Sequence, residues 1–387
     1  MARRLAGFRA LGHEVLVVAW GEAVEGALDG AEVLPIGGSV AAWGWRLLNL
    51  ARAPWYGAAR IPRPWVTARV LARARRLAPD LVWVEGVHGG WLARRLARRC
   101  GVPLVYRAHN IEHRYLAAQA RLATGRRRWA LWLGTWGLRR AEVRLQRAAA
   151  RVWDISGEDL EWWRARGLAH GGWLPPLAAG LGTPALAAGL GTPALAAGLG
   201  TPPVAGASGA GDGGRDVDLV YVGGLDNPAN RDGLMWFLRA VMPRVRAALG
   251  EVSLLVAGRA PDAVLGAAVM AAGGVLVADP GDVDAVFARG RVMVNPVRHG
   301  SGVNIKTIDM LGTGRVVVTT PVGARGLPAE AVAALQVAGT AEAFAGAVAA
   351  AVLGARAGVA DCDRAGMMAR VFGIDGLAAA LAEWEAA

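Results

Sequence analysis

Between residues 217 and 319 one pattern recurs. A short run of consecutive apolar residues is followed by a glycine- or proline-marked loop and then by a stretch with helical spacing. The runs are 217–222 (VDLVYV), 252–257 (VSLLVA), 275–277 (VLV), 292–295 (VMVN) and 316–319 (VVVT). A strand that is apolar along its whole length is buried on both faces, and a parallel sheet covered by helices provides that. The first part of the chain carries the same pattern, with strand candidates at 15–19, 81–84 and 103–108 and helical stretches at 65–77 and 91–99. The expected class is therefore α/β, with two doubly wound Rossmann-like domains and a cleft between them. Ligands of such sheets bind beyond the carboxyl ends of the strands.

The two halves are separated by a repeat. Residues 178–202 hold three copies of AAGLGTP at a period of nine. The segment is too rich in Gly and Pro for a helix, and three short copies are too few to build a solenoid core. It reads as a linker, extended by the Gly/Ala-rich run to residue 214. The expected division is 1–174 for the first domain, 175–215 for the linker, and 216–387 for a second domain that keeps the C-terminal helical tail.

Charge is divided unevenly. Residues 1–175 hold 28 Arg against 13 Asp and Glu, whereas residues 176–387 hold 15 basic and 18 acidic residues. The first half also carries 14 of the 16 Trp. A basic, Trp-rich half suits an anionic membrane surface, where Arg meets headgroups and indole sits at the interface. Nucleic acid is not expected, because the arginines are dispersed and no recognition motif accompanies them. Residues 126–147 read as one long basic helix in which Trp129, Trp132, Leu133 and Trp136 form a stripe. Such a stripe most simply faces a core, and the alternative is a face lying on a membrane. No segment reads as a spanning helix, since Arg or Gly interrupts every apolar stretch. The start is too short and too polar for a signal peptide, so a cytoplasmic protein, held at most peripherally on the inner membrane face, is expected. Two cysteines far apart, Cys100 and Cys362, argue against a disulfide framework or a structural metal.

Of the 43 basic residues only one is Lys, Lys306, within RHGSGVNIK at 298–306. Codon bias accounts for the abundance of Arg. A surviving Lys marks a place where a compact ammonium serves and a flat guanidinium does not. A glycine-rich turn entering a helix, here expected over 303–311 with Ser301 or Gly302 near its cap, suits a phosphate. Lys306 and Asp309 share a helix face, so a cation for phosphate stands beside a carboxylate for sugar hydroxyls. That pairing fits a nucleotide sugar. Gly223-Gly224 and Gly258-Arg259 follow two other strands and let backbone amides come close to the same phosphates.

Residues 223–243 (GGLDNPANRDGLMWFLRAVMP) and, more specifically, 295–327 (NPVRHGSGVNIKTIDMLGTGRVVVTTPVGARGL) resemble the donor domain of GT-B glycosyltransferases of family 4. LGHEV at 11–15, HNIEH at 109–113 and ISGED at 155–159 resemble segments of the family's first domain. The resemblance implies transfer of a sugar from a UDP- or GDP-linked donor to a glycan or lipid-linked acceptor, with retention and no obligatory metal or other cofactor. It places Asp309 at the donor ribose, although Asp stands where Glu is usual. Lys306 would hold the diphosphate with Ser301, Gly302 and Asn304, helped by Gly223, Gly224, Arg231 and Arg259. His109 would act near the transferred sugar, with Lys306 meeting the departing charge. Gly224 stands where the family has Arg, and Asn230-Arg231 replace its Lys. His299 stands near the place of its other Glu. The family's first strand and glycine loop have no counterpart ahead of 11–15.

Two other functions share this layout. A nucleotide-sugar epimerase would need proton-transfer groups, for which His109 and Glu85 are the candidates. A non-catalytic nucleotide-sugar-binding fragment would follow if the missing first strand and the altered charges disable transfer.

Overall fold

The computed structural model describes residues 2–21, 31–34, 36, 40–168, 170–178, 216–300, 302–359 and 364–385. Ser301 and the repeat beyond Ala178 lie outside the described residues. The chain divides into two compact units, Met1–Pro175 with Leu377–Ala387, and Pro176–Gly376. The division differs from the sequence expectation at the C-terminus, where the end of the helical tail groups with the first unit.

In the first unit, α1 (Ala2–Ala10) leads to β1 (Val18–Trp20), which pairs in parallel with β2 (Glu32–Leu34). Helices α2 (Val40–Leu48), α3 (Trp55–Ala58) and α4 (Pro64–Leu77) follow. β3 (Val82–Glu85) then leads to α5 (Gly90–Cys100), β4 (Leu104–Ala108), α6 (Glu112–Leu122), α7 (Gly125–Thr135), α8 (Leu138–Ala148), β5 (Arg151–Asp154), α9 (Gly157–Arg164) and β6 (Gly171–Trp173). β3 to β6 form a four-stranded sheet in chain order with every pair parallel. β1 and β2 form a sheet of their own. A cavity of about 860 Å³ is lined by both β1 and β3, including Val18, Trp20, Val82 and Glu85.

β4 is buried at every position, and Leu104 and Tyr106 join Val84, Leu116, Leu138, Leu145 and Val152 in the core. Each such side chain contributes about 1.5–3 kcal/mol by leaving water. The long helix expected over 126–147 is two helices. Trp136 turns extended and Gly137 takes φ +71°, a left-handed conformation that glycine adopts without strain. The tryptophan stripe does not face the core. Trp129, Trp132 and Trp136 are 66%, 56% and 72% exposed, and Leu133 is exposed beside them.

The second unit is built on a six-stranded parallel sheet in the order β12-β11-β10-β7-β8-β9. The strands are β7 (Val217–Val222), β8 (Leu254–Gly258), β9 (Gly274–Ala278), β10 (Gly290–Asn295), β11 (Val316–Thr319) and β12 (Gln336–Val337). β7 is fully buried, and Asp218 within it is neutralised by Arg356, at 2.7 and 2.9 Å, and accepts from the Ser253 amide and hydroxyl. The core gathers Leu219, Tyr221, Phe237, Val241, Val292 and Phe344. The helix expected over 234–248 starts earlier, at Pro228, with Asn227 accepting from the Ala229 amide as its cap. A π-helical turn interrupts it at Phe237–Val241, just before Pro243, which has no N–H to give.

The sequence gives no spanning helix, whereas Ala365–Trp384 is long and apolar enough by length and composition to cross a membrane. Gly373 splits that stretch into helices Ala365–Phe372 and Ile374–Glu385. Met368, Phe372 and Leu377 are buried within the protein, which accounts for their apolar character.

Candidate active site

The strand order of the second sheet has the switch point beside which doubly wound folds bind ligands. β7 has β8 on one side and β10 on the other, so the chain changes direction across the sheet between β7 and β10. Loops leaving those two carboxyl ends diverge and open a crevice. Gly223 and Gly224 leave β7 there, and Asn295 and Pro296 end β10. Gly258, at the end of β8, is pressed against the first loop. A methyl group on it would stand 1.9 Å from the Gly223 carbonyl oxygen.

The helix after β10 runs Ile305–Gly312, with Asn304 in the N-cap position. It starts later than the expected 303, because Gly302 is left-handed at φ +73° and Asn304 is extended. Asn304 makes no side-chain cap bond. Buried hydrogen bonds fix the helix to the sheet. Asn295 donates to the Thr307 hydroxyl at 2.8 Å, Thr307 donates to the Gly323 carbonyl at 2.8 Å, and Thr319 donates to the Asn295 carbonyl at 2.9 Å.

This scaffold directs Lys306 to the end of β7. Its Nζ donates to Asn230 Oδ1 at 2.7 Å and to the Tyr221 hydroxyl at 3.2 Å, and it lies 4.8 Å from the Tyr221 ring centre. Asn230 Nδ2 donates in turn to the Gly224 carbonyl at 2.9 Å. Lys306, Gly224 and Gly223 are thus brought together, with Asn230 as the bridge. Burial alone pulls the ammonium pKa down to about 7. Both acceptors from the described residues are uncharged, so they orient the amine without compensating its charge.

Among the described residues, the other expected ones do not touch the Lys306 amine. Asp309 is half-buried, one helical turn beyond Lys306. Arg231 is ion-paired with Asp262, and Arg259 with Asp226 at 3.2 Å. His299 lies 3.4 Å and Arg298 4.0 Å from Asp232, which ties the glycine turn to the helix after β7. Ser301 lies outside the described residues. Asn230 and Tyr221 were not marked as site residues in the sequence. The signal that points to Asn230 is the resemblance, in which Asn230-Arg231 stand in place of the family's Lys.

In the first unit, His109 and Glu85 occupy the carboxyl ends of β4 and β3. His109 Nε2 and Glu85 Oε2 are 2.6 Å apart. Arg107 donates to the same oxygen at 3.2 Å, while Arg4 and Trp83 reach Oε1 at 3.1 and 3.0 Å. Burial alone would raise the Glu85 pKa. The His109 hydrogen bond and the charges of Arg107 and Arg4 outweigh it and hold the carboxyl well below the usual carboxylate range. His109 is half-exposed, with Nδ1 as the ring nitrogen that Glu85 leaves unengaged. Nearby, the buried Glu142 carboxylate accepts from the Glu112 and His113 amides at 2.7 and 3.3 Å and from His113 Nδ1 at 2.6 Å, capping α6.

A family model described as Glycosyltransferase Family 4 matches residues 1–169, and one described as Glycosyl transferases group 1 matches residues 216–353. The chain belongs to this glycosyltransferase family. Among solved structures, this transferase is similar to Anabaena Alr3699/HepE in complex with UDP and glucose, at 11% identity and a TM-score of 0.56, covering 96% of this chain and 99% of that one. It is also similar to an α,α-trehalose-phosphate synthase (UDP-forming) from Burkholderia vietnamiensis, at 14% identity and 0.54, covering 95% and 94%. Sucrose-phosphate synthase from Thermosynechococcus elongatus matches at 14% and 0.54, over 84% and 79%. These likenesses show the GT-B fold, as expected from the sequence. A Klebsiella pneumoniae protein described as an uncharacterized 44.6 kDa protein in cps region is 29% identical over 119 residues, which span 29% of this transferase and 31% of that protein.

Proposed function

We propose that this transferase moves a sugar from a UDP- or GDP-linked donor to a glycan or lipid-linked acceptor, with retention at the anomeric carbon and without an obligatory metal. The observation that carries the reading is Lys306, half-buried at the β7/β10 switch point beside Gly223 and Gly224 with only uncharged acceptors from the described residues. Such an amine lacks a counter-charge, and a diphosphate supplies one. As the glycosidic bond to the nucleotide breaks, negative charge grows on the leaving diphosphate. A preoriented ammonium and nearby backbone amides meet that charge without reorganising. Asn230 holds the amine in place. Asp309 takes the donor ribose, with Arg231, Arg259, Ser301, Gly302 and Asn304 lining the donor site.

In the same reading His109 serves the acceptor side. Glu85 fixes its ring and favours a proton on Nε2, leaving Nδ1 to orient a hydroxyl. The reaction belongs to polysaccharide or cell-envelope assembly on the cytoplasmic side. The departures at Gly224 and Asn230-Arg231 put the charge for the diphosphate chiefly on Lys306.

Calorimetric titration with UDP and GDP tests the donor site directly. Lys306→Met keeps the side-chain volume and removes the charge, and it should cut nucleotide affinity by tenfold or more while leaving the melting temperature in place. Equal affinity in that variant overturns the reading. Incubating the protein with UDP- or GDP-sugars and no acceptor separates transfer from epimerisation, because only an epimerase changes the sugar under those conditions.

A further inference from the structure

Residues 33–79 contain eight arginines and no Asp or Glu, and residues 113–141 contain seven arginines and no Asp or Glu. The fold puts these two stretches side by side. α3 packs on both α2 and α7, and the Tyr56 ring of α3 abuts Gly134 of α7. On this surface stand Trp43 and Leu47 of α2, and Trp129, Trp132, Leu133 and Trp136 on and just past α7, all exposed. Arg46 lies over the rings of Trp43 and Trp55, at 5.2 and 4.7 Å, and Arg126 and Arg128 are exposed on the first turn of α7.

Large apolar side chains gathered on one face mark a partner. Arg69 and Arg73 of the first stretch pair with Glu32, and Arg46, Arg126 and Arg128 on this face call for a partner that carries negative charge. It must also receive leucine together with indole. Nucleic acid supplies phosphates and base faces but no environment for Leu47 and Leu133. An anionic bilayer supplies both: headgroups for arginine, and an interface where indole and leucine leave water. The carboxylates that border the second stretch are both engaged: Glu142 is buried and caps α6, and the half-buried Glu112 lies 3.3 Å from His88. We infer that the α2–α3–α7 face docks the first unit onto an anionic membrane surface. The inference stands on this face alone and does not require the donor reading.

Flotation of the full chain with vesicles tests it. Phosphatidylcholine vesicles containing phosphatidylglycerol should bind the protein at least about tenfold more tightly than phosphatidylcholine alone, and added salt should weaken the binding. Trp129→Ala combined with Trp132→Ala and Trp136→Ala should lower binding to the anionic vesicles by roughly tenfold or more. Arg126→Gln with Arg128→Gln should separately reduce the preference for phosphatidylglycerol. UDP binding serves as the control, since these side chains lie outside the donor site and the variants should retain it. Failure to float with anionic vesicles overturns the inference. So does flotation that neither set of substitutions changes, or binding of single-stranded RNA, lost in the same variants, without vesicle binding.

Discussion

Lys306 and Asn230 lie 76 residues apart in sequence and meet at 2.7 Å at the junction of β7 and β10. Asn230 also holds the Gly224 carbonyl. One amide side chain therefore sets the position of the ammonium relative to the glycine loop. Asn230→Ala should weaken UDP or GDP binding by about tenfold, the loss of one hydrogen bond to a charged group. Asn230→Asp should weaken it too, because the new carboxylate takes the ammonium that the diphosphate needs. Calorimetric titration of the two variants beside wild type checks both outcomes.

The pH dependence of donor binding follows from the burial of Lys306. In the free protein its amine is half protonated near pH 7. A bound diphosphate favours the ammonium and raises that pKa, so the complex binds more protons than the free protein above pH 7. Affinity should fall by up to about tenfold per unit as pH rises through about 8, and binding should take up protons there. Titration in buffers of different ionisation enthalpy measures that uptake. Lys306→Met should remove both the uptake and the slope.

The elements that are legible in the sequence are those whose burial is uniform. β7, β8, β10 and β11 are mostly apolar and mostly buried, broken only by paired polar residues such as Asp218, and each lies within two residues of its expected bounds. The break at Gly137 was hidden because Trp129, Trp132, Leu133 and Trp136 keep a helical period whether they face a core or solvent. Periodicity reports an apolar face, not what covers it. Lys306 was legible from its solitude and its glycine turn. The contacts that Asn230, Tyr221 and Glu142 make were not, since each reaches a partner 29 or more residues away that only the tertiary fold brings close. The Ala365–Phe372 and Ile374–Glu385 helices are apolar through packing, which composition alone does not separate from membrane contact.

Glu85 carries the electrostatics of the first unit's polar cluster. Arg107 and Arg4 are buried against it, and His109 takes its orientation from it. Glu85→Gln leaves two buried guanidiniums without a carboxylate and should cost about 3–5 kcal/mol of unfolding free energy at neutral pH. The folded-state pKa of Glu85 is depressed. Its stabilisation is therefore fully present above the unfolded value of about 4.3 and declines as pH falls from there toward the folded value. Urea unfolding of wild type at about pH 7 and about pH 3.5 should show that decline, and the variant should lack this part of it.

Gly258 tests whether the switch-point backbone itself is part of the donor site. Its amide and carbonyl belong to β8, and the adjoining Gly223 amide donates to the Ala257 carbonyl at 3.1 Å while the Leu225 amide donates to the Arg259 carbonyl at 3.0 Å. An added methyl at Gly258 meets the Gly223 carbonyl at 1.9 Å and Leu225 Cγ at 2.9 Å. The first of these is backbone and cannot rotate away, so the ends of β7 and β8 must separate. That shift carries Gly224 away from Asn230 and loosens the seat of Lys306. Gly258→Ala should lose about 1–3 kcal/mol of stability, as overpacked sites do, and should lose nucleotide affinity by tenfold or more. Gly266→Ala provides the contrast. It lies in the helix Ala263–Ala271, its new methyl meets only Leu276 Cδ2 at an ordinary 3.6 Å, and the change should stabilise by up to about 1 kcal/mol with binding intact. Nucleotide titration and thermal melts of the two variants separate a local displacement at the site from a general intolerance of the sheet to added volume.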